Sequence, residues 1–250
     1  MKTYLNAFFM CQSMFCAIPA PQIWDEDARD KMLLFLPVVG LELGLCWWGL
    51  GWLCRWFQLP TLLTALVLSA WPWMGTGFLH LDGFMDVTDA VRSCRSLQRR
   101  REILKDSHVG SFAVIGIVLL ILAQFACFAS ISDGADLRVL LLVPGVSRCC
   151  SALAVTGLPA MSTSQYSSQK RSKGRLVVPA LMLGAFLSVG FLVFGTYGIV
   201  MLGVLLGYGA ALRKGYRSLE GMNGDIAGYA LTVSELCAGA VLALGGNVWF

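Results

Sequence analysis

Apolar residues in this chain come in long uninterrupted blocks, not at the i, i+3, i+4 spacing of an amphipathic surface helix. Blocks of roughly 18 residues or more are read as membrane spans. Seven can be drawn, at about 33–54, 60–79, 111–131, 137–158, 176–195, 197–212 and 227–249. Only Gly195 and Thr196 separate the fifth from the sixth, so hydropathy alone does not tell a tight hairpin from one broken helix. The polar segments between blocks are short. The pattern predicts an all-α fold, a polytopic helical bundle forming one domain over 1–250. Within it, 1–32 is an interfacial N-terminal segment and 80–110 a polar loop.

Charge gives the bundle a direction. The N-terminal segment carries Lys2, Arg29 and Lys31, and the loop after the second span carries Arg92, Arg95, Arg99, Arg100, Arg101 and Lys105. The loop after the fourth adds Lys170, Arg171, Lys173 and Arg175, and that after the sixth Arg213, Lys214 and Arg217. Those sixteen lie on one side. Arg55 and Arg138 lie on the other, and Arg148 falls inside a span. Short cytoplasmic loops are enriched in Lys and Arg, so the N-terminus is expected inside and the C-terminus outside, in a cytoplasmic (inner) membrane. The same count explains the net charge of +4 without invoking nucleic acid.

Composition agrees: 57% of the 250 residues are hydrophobic and 14% charged, where soluble domains carry about 25% charged. The 27 glycines suit close helix packing in lipid. The nine cysteines lack metal-ligand spacing and read as small buried hydrophobes. Met1 to Pro21 has no clear small-x-small cleavage site and is read as uncleaved.

The candidate chemistry lies at the edges of the apolar blocks. In the run from His80 to Ala90, helical spacing places Asp82, Asp86 and Asp89 within about 60° of one another. Carboxylates so placed repel. A hard divalent cation such as Mg²⁺ removes that repulsion, binding through a few carboxylates plus substrate phosphates; otherwise the run is a solvated acidic face. Lys105, Asp106 and Ser107 put a cation, a carboxylate and a hydroxyl just ahead of the third span, where Ser107 also suits a helix N-cap. Arg99 and Arg100 read as plain loop charge. A second polar patch, Glu220 to Gly228, holds Asn223 and Asp225. Asp225 either joins the acidic group or merely caps the last span. Glu42, Arg148 and Glu235 are ionisable within spans, where charge is costly and functional by default. An Arg148–Glu42 or Arg148–Glu235 ion pair is the plain alternative. There is no nucleophilic-serine elbow, Walker loop or zinc spacing. Carboxylates, a divalent metal and phosphate-binding cations fit phosphoryl transfer.

These residues resemble the cobalamin synthase (adenosylcobinamide-GDP ribazoletransferase) family over most of the chain. The carriers are His80-Leu81-Asp82-Gly83-x-x-Asp86-x-x-Asp89 and Glu102-Ile103-Leu104-Lys105-Asp106-Ser107-x-x-Gly110. Ser147-Arg148, Gly224-Asp225-x-x-Gly228 with Glu235, and Ser13-Met14-Phe15-x-x-Ile18-Pro19-x-Pro21 followed by Phe35-x-Pro37-x-x-Gly40 add to it. Met222-Asn223 and Ala17 depart from the pattern. The resemblance implies an enzyme that joins α-ribazole or its 5′-phosphate to adenosylcobinamide-GDP and releases GMP, with Mg²⁺ as cofactor. It implies metal ligands among Asp82, Asp86, Asp89, Asp106 and Asp225; catalytic roles for His80, Asp82, Asp86 and Asp225; and substrate contacts from Lys105, Ser107, Arg148, Asn223 and Glu235. The lipid bilayer and the two substrates are the expected partners, and a homo-oligomer is left open. The rivals are CDP-alcohol phosphotransferases, which place Ala-Arg where Met85-Asp86 stands, prenyltransferases with Asp-x-x-x-Asp, and a transporter.

Overall fold

In a computed structural model, residues 2–161 and 174–248 are described, and among them every regular element is a helix. The α-helices are α1 (Lys2–Phe15), α2 (Glu26–Arg29), α3 (Leu36–Trp56), α4 (Thr61–Met74), α5 (Leu79–Arg92), α6 (Leu97–Ile103), α7 (Ser111–Ala129), α8 (Val143–Gly157), α9 (Gly174–Phe194), α10 (Ile199–Leu219) and α11 (Gly224–Val248). Short 3₁₀ turns lead into α3 and α8 and separate α9 from α10.

Five helical stretches are long and apolar enough to cross a membrane, and α4 with α5 adds a sixth as a bent pair. One of the five, Gly174–Leu219, is 46 residues long, about 70 Å at 1.5 Å per residue, twice what one crossing of a ~30 Å hydrocarbon core needs. It is not one rod. Gly195 takes φ +57°, and a Cβ on Gly198 would lie 2.8 Å from the carbonyl oxygen of Gly190. Eight positions apart on a straight helix is about 12 Å, so the chain doubles back here. The fifth and sixth apolar blocks are therefore separate helices joined by a tight turn.

Burial sorts the helices. About three quarters of the apolar windows of α8 (with its 3₁₀ lead-in) and α11 are buried, against roughly a fifth in α7 and in α9–α10. The first two are central. The others turn side chains such as Leu119, Leu122, Leu192 and Leu206 outward, as a lipid-facing surface requires.

The second block departs from expectation. The helix stops at Met74, not near 79. Gly77 and Phe78 both adopt positive φ, and α5 leaves α4 at 82°. Pro72 within α4 has no N–H for the Leu68 carbonyl. The indole Nε1 of Trp47 on α3 donates to that oxygen at 2.9 Å, so the orphan acceptor fixes α3 to α4. Beyond the bend, α5 is 14 residues with three carboxylates and an arginine, too short and too charged to cross alone. The 80–110 segment is thus not a loop: beyond the bend it is built largely of two helices, α5 and α6. The N-terminal segment likewise forms α1, docked through the Ala17 N–H to the Gly75 carbonyl at 2.8 Å.

Candidate functional site

Helix α5 presents its carboxylates on one face, and α11 meets it at the level of that face. Each helix has a glycine where they touch. A Cβ on Gly83 would lie 2.9 Å from the Asp225 carbonyl oxygen and 3.0 Å from its Cα. One on Gly228 would lie 3.1 Å from the Cα of His80. The Thr232 hydroxyl donates to the His80 carbonyl at 3.1 Å, and the rings of Phe84 and Tyr229 stack 5.5 Å apart. Asp225 is thereby carried to the acids of α5 across 139 positions of sequence.

The start of α11 settles what caps it. The Asn223 side-chain oxygen accepts from the Ile226 N–H at 3.0 Å, so Asn223 is the N-cap and Asp225 is not. The Asn223 amide also donates to Asp225 Oδ2 at 2.5 Å. Asp225 is held in place at one oxygen by a neutral donor, leaving the other oxygen to the site.

On α5, Asp82 is exposed and Asp86 and Asp89 are half-buried. Partial burial, then the charges of Asp82, Asp225 and Asp89, push the Asp86 carboxyl up to about 7. Asp89 packs its carboxylate against Gly110, so the end of the α6–α7 connection is seated on the acid helix. Among the described residues no hydrogen bond or ion pair reaches the carboxylates of Asp82, Asp86 or Asp89. Nor do three or more metal-ligating side chains close on one point. That arrangement fits Mg²⁺ rather than a protein-built cage: the donors are hard oxygens, they repel without a cation, and Mg²⁺ typically takes one or two carboxylates with the rest from water and substrate phosphate.

Beside the acids is a cavity of about 260 Å³ bounded by α1, the α3 entrance, α5, α8 and α11. Met14, Phe15, His80, Asp82, Ser151 and Asp225 line it, so acidic groups edge an otherwise apolar pocket. His80 is buried with its ring parallel to Phe15, 6.3 Å between centroids. Burial, and then the nearby Arg148 charge, hold its pKa well below the usual value, so the ring is neutral. Ser151 and Phe15 were not among the predicted site residues. Ser151 follows Arg148 by three, on the same face of α8, which is the signal that would have found it.

The other predicted residues are dispersed. Arg148 pairs with Glu235, not with Glu42, and Ser147 Oγ lies 3.3 Å from the same carboxylate oxygen. At 1% and 3% exposure, Arg148 and Glu235 join α8 to α11 and present almost no surface to a ligand. Glu42 has a buried oxygen, Oε2, with no hydrogen-bond partner among the described residues. Lys105, Asp106 and Ser107 are exposed in the α6–α7 connection. Asp106 Oδ1 accepts the His108 N–H at 3.0 Å and lies 2.7 Å from the His108 ring Nδ1; these contacts hold its carboxyl below the ordinary range. Ser107 caps nothing: α7 begins at Ser111 after Gly110. Arg99 pairs with Glu102 on the surface. Arg100 and Arg101 donate to the carbonyls of Ser218, Leu219 and Glu220, bracing α6 on the last turn of α10.

Comparison with known proteins places the chain in a family. Residues 7–243 match the family described as cobalamin-5-phosphate synthase. The chain belongs to the cobalamin-5-phosphate synthase family. Among its relatives, an adenosylcobinamide-GDP ribazoletransferase of Clostridium perfringens strain 13 is 36% identical, covering 98% of this chain and 99% of the relative. One from Clostridium botulinum strain Alaska E43 is 32% identical over 94% and 96%. One from Brevibacillus brevis is 30% identical over 98% and 100%. No solved structure matches. The matched residues run from α1 into α11.

Proposed function

We propose that this protein is a Mg²⁺-dependent adenosylcobinamide-GDP ribazoletransferase whose active site is the acidic group formed by α5 and α11. The observation that carries the reading is the placement of Asp82 and Asp86 against Asp225, beside a cavity, in a chain alike over its whole length to enzymes of that name.

In the reaction, a hydroxyl of α-ribazole or its 5′-phosphate attacks the phosphorus attached to cobinamide. A new P–O bond forms, the P–O bond to GMP breaks, and GMP leaves with the bridging oxygen. The proton of the attacking hydroxyl passes to a carboxylate of the acidic group. Asp82, Asp86 and Asp225 would hold Mg²⁺, with Asp89 beside them. The cation supplies neutralisation of the diphosphate charge. Asn223 fixes the Asp225 carboxylate, and neutral His80 lines the pocket without adding a charge that would compete for the metal. Lys105 and Ser107, on the flanking connection, offer a cation and a hydroxyl to the nucleotide phosphate. The site faces the cytoplasm, the side on which Lys and Arg concentrate.

The test is purified protein in detergent with adenosylcobinamide-GDP, α-ribazole and Mg²⁺, assayed for GMP. GMP release that requires both organic substrates and ceases with EDTA is expected. Release without the ribazole, or full activity after exhaustive metal removal, overturns the reading.

A further inference from the structure

Behind the acid helix there is a second cavity, of about 310 Å³, with a different character. Three helices each contribute one face at i, i+3, i+4, i+7 spacing or nearly so. They are Phe84, Val87, Thr88 and Val91 on α5; Gly116, Leu119, Leu120 and Ala123 on α7; and Tyr229, Val233 and Leu236 on α11. Gly116 makes room: a Cβ there would come 2.7 Å from the Thr88 methyl. The cleft reaches the lipid-facing surface, where Leu119 is 60% exposed. At its rim are two cations from different elements, Arg92 at the end of α5 and Lys214 on α10. Neither has a hydrogen bond or ion pair from the described residues, and no acid lines the cleft.

This cleft is not part of the acid site. On α5, Phe84, Val87, Thr88 and Val91 lie about 140–240° around the helix from Asp82. A substrate bound in the cleft would have α5 between itself and the carboxylates. The cations stand where lipid head groups lie if α7 and α11 cross the bilayer as read above.

We propose that the cleft between α5, α7 and α11 is a binding site for an anionic phospholipid, with the acyl chain along the apolar faces and the phosphate between Arg92 and Lys214. Basic pockets between membrane helices bind anionic head groups in this way. An apolar floor suits a chain and not a free phosphate; two unpaired cations suit an anionic lipid over a zwitterionic one. The occupant would pack against the back of the helix that carries Asp82 and Asp86.

The experiment is lipid retention by native mass spectrometry, after exchange of the purified protein into phosphatidylcholine nanodiscs with or without phosphatidylglycerol. Two cations at about fivefold each give the wild type a preference for phosphatidylglycerol of about 25-fold. Arg92→Gln/Lys214→Gln should bring the two lipids to parity, and Ala123→Trp, which fills the cleft, should lower retention of both. Millimolar inorganic phosphate should displace neither. Circular dichroism and GMP release in detergent report folding and the acid site separately, and both should be kept in both variants. Undiminished phosphatidylglycerol preference in the double variant, equal retention of the two lipids by the wild type, or displacement by free phosphate would each overturn the proposal.

Discussion

Replacing Gly83 by alanine should lower both stability and activity, although glycine to alanine within a helix ordinarily gains about 1 kcal/mol. The reason is the neighbour. The new methyl would stand 2.9 Å from the Asp225 carbonyl oxygen, about 0.5 Å inside ordinary contact, and 3.0 Å from its Cα. Both are backbone atoms and cannot rotate away, so α5 and α11 must part. Overpacking of this kind costs about 1–3 kcal/mol; less the propensity gain, a net loss of about 0–2 kcal/mol is expected. The functional effect should be larger, because the same displacement separates Asp82 and Asp86 from Asp225. Misplacement on the order of 1 Å can cost about 10²-fold in rate. The control is Gly184→Ala in α9, where a Cβ meets nothing within 4 Å. Thermal unfolding in detergent and initial GMP release would be measured for both. If Gly83→Ala melts as high as Gly184→Ala and turns over as fast, the close contact does not position the site, and the reasoning fails.

Asp225→Asn should lose activity as severely as Asp225→Ala, by about 10²–10³-fold, with little change in unfolding temperature. Asn223→Ala should do both, losing about 1 kcal/mol as the cap goes and activity as Asp225 is released; an Asn223→Ala protein with wild-type stability would contradict the cap. Arg148→Met should destabilise by about 3–5 kcal/mol, because it leaves Glu235 buried and unpaired, while Arg148→Met/Glu235→Leu should recover most of that loss; a double variant no more stable than the single would show that the pair is not what holds α8 to α11. A membrane-impermeant maleimide added to intact cells should label Asp133→Cys and leave the exposed native Cys94 unreacted; labelling of Cys94 from outside would invert the orientation. Chelation with EDTA should abolish GMP release, and Mg²⁺ or Mn²⁺ should restore it.

The spans were legible because an apolar block of about 20 residues has one stable use, but whether the gap at Gly195 was a hairpin or a broken helix was settled only by the backbone geometry there. The second block misled for a local reason. Its hydropathy continues past Met74, but Pro72 and the positive φ at Gly77 and Phe78 turn the chain before the apolar run ends. That the α5 acids share one face was legible from spacing alone. Partners were not. That Arg148 would meet Glu235 and not Glu42, or that Asn223 would cap α11 and so release Asp225 for the site, depends on which helices become neighbours across 87 residues in the first case and on backbone geometry in the second. Lys105 and Asp106 sit in a motif that resembles the family's, yet in this conformation they lie at the surface, where spacing gives no hint of what they face.

The contact between Thr232 and His80 spans 152 positions. At a ribosomal rate of roughly 5–20 residues per second, the helix bearing Asp82 and Asp86 waits roughly 8–30 s before the segment that completes it has been made. Through that interval the nascent chain carries an unneutralised acidic helix with its seat on α11 still empty, and α6 waits nearly as long for the end of α10. A polypeptide cut short between residues 90 and 224 therefore has the three acids of α5 without Asp225. The acids of α5 and Asp225 come together only once the start of α11 has been made.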